Sequence, residues 1–588
     1  MRTIPRHVTL LALLAAVAVS LPLAAATPDE RDGIEPGAPP EPAAPAPIAR
    51  TLAVVPAEIV LAEGEPLAGS TVASLNSPFT NGAGDPGFVA ALANGDRVIW
   101  SGAGPVFVSS SAVGVTLTGG ESTMGIGDAG QFIYSPAVDG DDAVWTQAGA
   151  LLVDGTQAPG FPAGVTNTFN SRPQMIPSGQ AFWVSGFNEA GGTTTQGRML
   201  YTSTDGTPAA IAVVLRSDDL VGGIPIDRPS GIGFDYQFSD NGAHHIHQLL
   251  LDTGSTTDDD IVYLDGAIVA RETFPTGQGD NWDNFDNVTV NNAGTYAFSG
   301  DTDGATASDE FIAVNGGIAV REGASVDGRT LGTAVQALSL NNLDQAAFIW
   351  SLAGGGEALF FSCNATNLAA DALAVLQTGD EIDFDGGGGD GLFVDDFNAS
   401  TVIGPGLWLA EDGRVFVEVD LDDGEVTFEA IVGIALPPCP EPEIDVAPAA
   451  LESTQEPDTV VATSFDIENL GTADLDYLLS EAPADCAAPA DVPWLSLDSA
   501  GGTLAPSATA TIGVTLDSTG LAPGVYTAVI CVASNDLDEP TVPVPVSLTV
   551  FLAPSVLEIP TLGPTGLGVL VFLLGGAALV LVRRRGRA

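Results

Sequence analysis

Chemistry by acid, base or nucleophile needs a small set of side chains, and this chain is sparing with one of them. It has four histidines. His7 lies near the start, and His244, His245 and His247 form one cluster. On a strand, His245 and His247 project to the same face, where two imidazoles could chelate a metal. His245 also occupies a column that elsewhere in the chain holds Ala, Val or Phe, so packing is the stronger expectation and the metal content is left unknown. Any Ser-His or Cys-His nucleophile would have to draw on this cluster, and no Gly-x-Ser-x-Gly surrounds a candidate serine.

Oxygen ligands are abundant instead. Asp383, Asp385, Asp390, Asp395 and Asp396 flank a run of four glycines, and Asp258, Asp259 and Asp260 form a second acidic loop. Such loops suit Ca²⁺, the one ion this composition favours, but their spacing is not that of an EF-hand. Solvated turns are the expectation, with no cofactor and no assigned catalytic residue. Among 75 carboxylates no pair can be singled out for glycoside cleavage.

The charge balance excludes one class of partner. Every one of the 17 basic residues is arginine, and the formal net charge is -58. Four arginines, Arg583, Arg584, Arg585 and Arg587, sit at the C-terminus, and Arg2 and Arg6 open the chain. The body between the ends is therefore more acidic than the whole, which rules out nucleic-acid binding through a basic surface. Seventy glycines, 41 prolines and an Asp-rich acid complement are turn chemistry, and 45% apolar content is too high for disorder. The expectation is an all-β, multidomain protein.

The ends read as targeting segments. Residues 1–26 combine Arg2 and Arg6, an apolar run from Val8 to Ala18, and Ala24-Ala25-Ala26 before Thr27, the pattern of a cleaved secretory signal. Residues 27–66 are a Pro/Ala-rich linker. At the other end the uncharged run Gly566 to Val582, counted back to Leu562, is long enough to cross a bilayer at about 1.5 Å per residue. The arginines after it predict a cytoplasmic C-terminus, with everything between the signal and the helix exported.

Ahead of that run stands Ile559-Pro560-Thr561-Leu562. Tetrapeptide, apolar helix and terminal arginine cluster together resemble the IPTL-CTERM protein-sorting signal, a relative of the PEP-CTERM signal. Gly563-Pro564-Thr565-Gly566 follows where Ser-Glu-Trp-Gly is usual. The resemblance covers the last 30 residues of 553–588. It implies an exosortase-type processing enzyme as partner and a cell-surface or extracellular-matrix location in a Gram-negative bacterium that makes exopolysaccharide.

The middle, 67–440, is repetitive. A turn residue followed by an apolar strand recurs at Gly95, Gly140, Gly179, Gly242, Gly294, Asp344 and Gly413, with steps of 45, 39, 63, 52, 50 and 69 residues. A second column of an apolar pair entering a polar turn moves in phase, with Arg271 and Arg321 one step apart. Asp265-Gly266 and Asn315-Gly316 lie between the columns as two-residue hairpin signals. Seven copies near the length of a four-stranded blade predict a seven-bladed β-propeller, with a β-solenoid or a stack of small sandwiches as the competing architecture. Asn291-x-x-Gly294-x-x-Ala297-Phe298 and Asn341-x-x-Asp344-x-x-Ala347-Phe348 resemble the NxxGxxAF tandem-repeat family of bacterial surface proteins. The other five copies keep the glycine and lose the Asn, and the family brings no agreed activity.

After a proline-rich link, residues 441–552 show alternating strands between Gly and Pro turns, the spacing of a β-sandwich. Asn469-Leu470-Gly471, Val492-Pro493-Trp494 and Leu521-Ala522-Pro523-Gly524 resemble Ig-like accessory domains of secreted bacterial proteins. Export into an oxidising compartment predicts a Cys486–Cys531 disulfide within this domain, and a second between Cys363 and Cys439. The functional expectation is an exported, non-catalytic surface protein whose propeller binds exopolysaccharide or a surface glycan. The alternative is a secreted polysaccharide hydrolase or lyase with its site in the propeller channel.

Overall fold

The computed structural model describes residues 53–585 apart from 120–122, 190–194, 229, 399–405, 537 and 553–562, with side chains beyond 580 and at 234 also outside the description. The chain is all-β and divides into two compact units, Met1–Pro438 and Cys439–Ala588. The expected signal, residues 1–26, lies outside the described residues.

Among the described residues, the first unit's strands form seven larger sheets in succession and a two-stranded one, Leu220–Val221 with Ile224–Pro225, all pairing antiparallel except Val54–Pro56 with Glu381–Asp383. The fourth and fifth show the plan most simply: Ile232–Phe238, His245–Leu250, Asp260–Leu264 and Ala267–Arg271, then Trp282–Val290, Tyr296–Thr302, Phe311–Val314 and Gly317–Arg321, each pairing in chain order. Asp265-Gly266 and Asn315-Gly316 make the last hairpins, all four residues at positive φ between 49° and 97°. That is the left-handed geometry two-residue hairpins require.

Both faces of each sheet are apolar because each sheet packs on its neighbours. Val89 and Ile99 of the first sheet pack with Ile126, Phe132 and Tyr134 of the second. Ile246 and Val262 of the fourth pack with Trp282, Phe298 and Phe311 of the fifth. The series returns on itself: Leu61 and Ile431 of the seventh sheet pack with Val72, Phe88 and Trp100 of the first. Each large side chain so buried contributes about 1.5–3 kcal/mol, and no sheet could bury both faces alone.

The return is made by a segment assigned to the linker from sequence. Glu58–Ala62 pairs antiparallel with Thr427–Ala435, and Val54–Pro56 pairs parallel with Glu381–Asp383. The 27–66 linker is therefore too long: Ile59 and Leu61 are strand residues whose partners lie about 370 positions away, a distance at which local pattern carries no signal.

The repeat motif is the turn between the first two strands of each sheet. Asn291 Oδ1 accepts from the backbone N–H groups of Ala293 and Thr295, both at 3.0 Å, and Gly294 takes φ 82°. Ala297 and Phe298 then enter the core, both fully buried. Asn341 repeats this with Leu343 and Gln345, and Asp344 takes the left-handed position at φ 56°. Two members of the sequence column are one strand late. Gly95 and Gly140 belong to later turns, and the equivalent residues are Gly84 and Gly130. Asn81-x-x-Gly84-x-x-Gly87-Phe88 is a third good copy: Asn81 Oδ1 accepts from Ala83 and Asp85 N–H at 3.1 and 2.9 Å, and Phe88 is fully buried.

The second unit is a β-sandwich. Strands Ile444–Ala447, Val460–Asn469, Thr509–Asp517 and Leu495–Leu497 form one sheet. Leu451–Gln455, Thr541–Val550, Gly524–Ser534, Leu475–Ala482 and Gly501–Leu504 form the other. Phe465, Ile512, Leu516, Ile530 and Leu548 are buried in it, as alternation along each strand requires. Cys486 and Cys531 are bonded, with Cα atoms 5.6 Å apart. Cys363 and Cys439 are also in disulfide linkage, and no cysteine is free.

Candidate functional site

The first strands of the seven sheets meet around one cavity. Phe79, Thr123, Gln174, Asp235, Asn287, Ser339 and Trp408, one from each sheet or the segment entering it, line a space of about 60 Å³. At roughly 10–15 Å³ per water it holds a few solvent molecules and excludes a sugar ring. Phe79 and Trp408 stack across the seam between first and seventh sheets, centroids 4.3 Å apart. Gln174 Nε2 donates to the carbonyl of Tyr236 at 2.6 Å, and the Tyr236 hydroxyl donates to the carbonyl of Arg172. Burial raises the Asp235 carboxyl to about 6, with Arg172 drawing it down and Asp286 pushing it further up. This is a packed polar axis, and sequence reasoning missed it. Its members are single residues on strands about 50 positions apart, with no common residue type.

At one end of the axis the repeat turns form a mouth. Asn342 Nδ2 donates to Asp240 Oδ2 at 2.8 Å and to Glu411 Oε1 at 2.7 Å, so one amide bridges the fourth and seventh sheets. Burial raises both carboxyls. The space here, about 10 Å³, is closed by Asn81, Asn291 and Asn342.

The histidines pack. His247 is 1% exposed and stacks on Tyr236, while His245 stacks on Phe238. His245 Nδ1 and His247 Nε2 are 2.8 Å apart in a hydrogen bond. Two ligands of one tetrahedral Zn²⁺, at about 2.1 Å each, stand roughly 3.4 Å apart, so these nitrogens are placed for each other. Burial pushes both imidazoles below their ordinary range, His247 furthest. His244 Nδ1 lies 2.6 Å from Asp265 Oδ2 at the surface.

Of the acidic loop, Asp383, Asp385 and Asp390 come together, with ligand oxygens within 4.8 Å of one another. Their carboxylates accept from backbone N–H groups of Gly386, Gly388, Gly387 and Phe384, which is the bonding of a tight turn. Asp395 and Asp396 lie on the strand Leu392–Phe397, outside the group. In the other loop Asp258 pairs with Arg271 and Asp260 is buried. A set absent from the sequence reading, Glu443, Asp536 and Asp538, gathers in the sandwich across about 90 residues of chain.

The tetrapeptide Ile559-Pro560-Thr561-Leu562 lies outside the described residues. A helix of 22 residues, Pro564–Arg585, follows it. Arg583, Arg584 and Arg585 belong to its last turn, their side chains not described, and Arg587 lies beyond. Among the described residues, no helix is long and apolar enough to cross a membrane.

No family model and no curated protein matches the chain. Among solved structures, a PapD-like domain of human CEP192 is similar to 20% of this chain over 92% of its own length, at 21% identity and TM-score 0.17. SSP-19, an MSP-domain protein of Caenorhabditis elegans, covers 18% of this chain and 98% of its own, at 19% identity and TM-score 0.14. BBS1N, solved in complex with ARL6DN, covers 66% of this chain and 95% of its own, at 10% identity and TM-score 0.30. At these TM-scores the likenesses carry no argument.

Proposed function

We propose that the chain is an exported, non-catalytic surface protein in which a seven-bladed β-propeller is the binding platform, a sandwich is its companion domain, and the C-terminal tail directs sorting and membrane attachment. The observation that carries the reading is the axis. Seven sheets each contribute a residue to one cavity of about 60 Å³, and the seventh sheet incorporates the strand Glu58–Ala62 from the start of the ring. An axis filled by Phe79, Trp408 and Tyr236 has no room for a sugar in a catalytic cleft. Ligands would therefore meet the outer faces, where loop chemistry is free of the packing constraint. The disulfides fit an oxidising, exported location. For the tail, the uncharged run Gly566–Val582 followed by three arginines supports a membrane helix with cytoplasmic arginines. The IPTL-type tetrapeptide before it supports recognition by an exosortase-type enzyme.

Screening the protein against bacterial exopolysaccharides for binding and for release of reducing ends tests this. Saturable binding without new reducing ends is the expected result. New reducing ends that grow with time would establish the hydrolase or lyase reading instead.

A further inference from the structure

In at least five of the sheets the strand ahead of the repeat turn is irregularly paired. Pairing slips between Ile232 and Tyr236, between Phe285 and Val288, between Leu331 and Val335, between Val394 and Asp396, and between Val72 and Ser74. A bulge of this kind leaves backbone groups without a ladder partner, at a cost unless something else bonds them. The neighbouring sheet supplies the partner from one repeated position, the residue just before the apolar run of its third strand. Asp260 Oδ2 accepts from Phe285 N–H at 3.3 Å, Glu310 Oε1 from Val335 N–H at 2.8 Å, and Glu429 Oε2 from Leu75 N–H at 2.8 Å. Glu357 holds the same position and faces Asp396 of the seventh sheet, whose Oδ1 takes the Phe397 N–H at 3.0 Å. In the third sheet the position is Arg198, which reverses the polarity by donating to the carbonyl of Ile232 at 3.0 Å.

We infer that this position is the clasp between consecutive sheets, and that its four acidic members close the ring best as carboxylic acids, so the ring tightens in mild acid and loosens in alkali. The groups facing the clasps are acidic. Asp260 meets Glu272 and Asp259, with Gln248 Nε2 as its side-chain donor. Glu310 meets Asp301, in hydrogen-bonding position, and Asp286. Glu357 meets Asp396, with Gln336 Nε2 donating to it. Glu429 meets Asp420 and Glu63, and stands beside Glu418. Desolvation comes first in each case and the neighbouring carboxylates add to it. Asp260 is carried to about 8, Glu310 to about 9 and Glu357 to about 7, and Glu429 is also raised. A carboxyl whose pKa rises on folding binds its proton more tightly in the native state. Its contribution is full below the unfolded value and is lost as pH rises through the folded one.

The test is urea unfolding of the full-length protein, followed by tryptophan fluorescence at pH 6 and pH 9. Six of the seven tryptophans lie in the first unit. The combined variant Asp260→Asn, Glu310→Gln, Glu357→Gln and Glu429→Gln keeps every carbonyl acceptor and removes the four titrations. Raising the pH should lower the wild-type folding constant at least about tenfold, and the variant's by less than half as much on a logarithmic scale. A control with four exposed acids neutralised, Asp205→Asn, Asp371→Asn, Glu425→Gln and Glu452→Gln, should keep the wild-type slope. A pH-independent wild type, or a clasp variant with the wild-type slope, overturns the inference. Should the combined variant not fold, Glu310→Gln alone must reduce the slope while Glu310→Ala loses stability at both pH values. Equal behaviour of the two single variants overturns it as well.

Discussion

The backbone N–H of Asn292 donates to Oδ1 of Asn342 at 2.8 Å, fifty residues further along the chain. Asn342 passes the contact on, its own N–H donating to Glu411 Oε1 at 2.9 Å. Asn241 N–H donates to Asn292 Oδ1 and Gly82 N–H to Asp128 Oδ1 by the same rule. In these four joins the side chain that accepts belongs to the residue after the motif's first position, while the first Asn rigidifies the turn itself. Asn291 does both, since its Nδ2 reaches the carbonyl of Asn341 at 3.0 Å and Asp344 Oδ1 at 2.7 Å. The periodicity in the sequence is thus a periodicity of contacts between sheets.

Asn342→Ala removes the acceptor for Asn292 and the amide that holds Asp240 and Glu411 apart. A loss of about 1–3 kcal/mol in unfolding free energy is expected, the usual cost of stranding buried polar groups. Asn342→Asp keeps the acceptor but sets a third carboxylate beside two others, so its deficit should be larger at pH 7 than at pH 4.5. Urea unfolding at the two pH values checks both statements.

Glycine at 125 is required by the next sheet, not by its own backbone. A Cβ there would meet the main chain of Gln174 and Met175, which cannot move aside as a side chain can. Gly125→Ala should cost about 1–3 kcal/mol or more through overpacking. At Gly95 the added methyl meets nothing within 4 Å and only the left-handed φ of 93° is strained, so Gly95→Ala should cost about 1–2 kcal/mol. Equal unfolding midpoints for the two variants would contradict this assignment.

The order of the sheets, the turns and the buried Phe and Trp positions were legible because each depends on neighbours in sequence: Asn291 on Thr295, Asp265 on Gly266. The clasps were not. Glu310 and Val335 carry no signature apart from their contact, and a charged residue before an apolar run looks like any solvated strand end. Gly95 was mistaken for Gly84 because Val98-Ile99-Trp100 and Gly87-Phe88-Val89 are both buried strands after a turn, and only pairing tells the second strand from the third. The closing strand failed for a related reason, since Ile59 finds Val432 only in the folded chain. His245 stacks on Phe238, in keeping with the column of Ala, Val and Phe to which it belongs.

Acid sensitivity should come from that histidine pair. The His247 imidazole is depressed well below its ordinary value by burial, with His245 adding to the effect. A depressed base binds fewer protons when folded, so its stabilisation is present above the unfolded value near 6.5 and is lost as pH falls below it. This runs opposite to the carboxyl clasps, whose contribution grows as pH falls toward the unfolded carboxyl values. His247→Phe, which keeps the stack on Tyr236, should become more stable relative to the wild type as pH falls from 6 to 4.5. Thermal midpoints across that range measure it, and an unchanged slope would assign the acid limb elsewhere.

The Cys486–Cys531 bond closes a loop with a sequence separation of 45, which in the chain-entropy account contributes about 4 kcal/mol. Replacing both residues with alanine should lower the sandwich's unfolding free energy by about that amount and leave the first unit's transition in place. The transition of Trp494, isolated by replacing the six tryptophans of the first unit with phenylalanine, reports the first quantity. Non-reducing peptide mapping of the wild type should show the linked pair.

The last expectation concerns the tail. A helix that only anchors needs apolar length and flanking charge, and has no use for a proline-containing tetrapeptide at its outer end. Pro560 lacks an N–H and disfavours helix at the residue before it, a sequence feature suited to engagement by a membrane protease. The helix begins at Pro564, a residue suited to a first turn. If the tetrapeptide is a processing mark, the mature protein loses the helix together with Arg583, Arg584, Arg585 and Arg587. Intact-mass analysis in the native host should then find a species ending before the helix. Replacing Ile559-Pro560-Thr561-Leu562 with four alanines should leave the full-length, membrane-bound form. Recovery of the C-terminal arginines in the major wild-type species would make the tail an anchor alone.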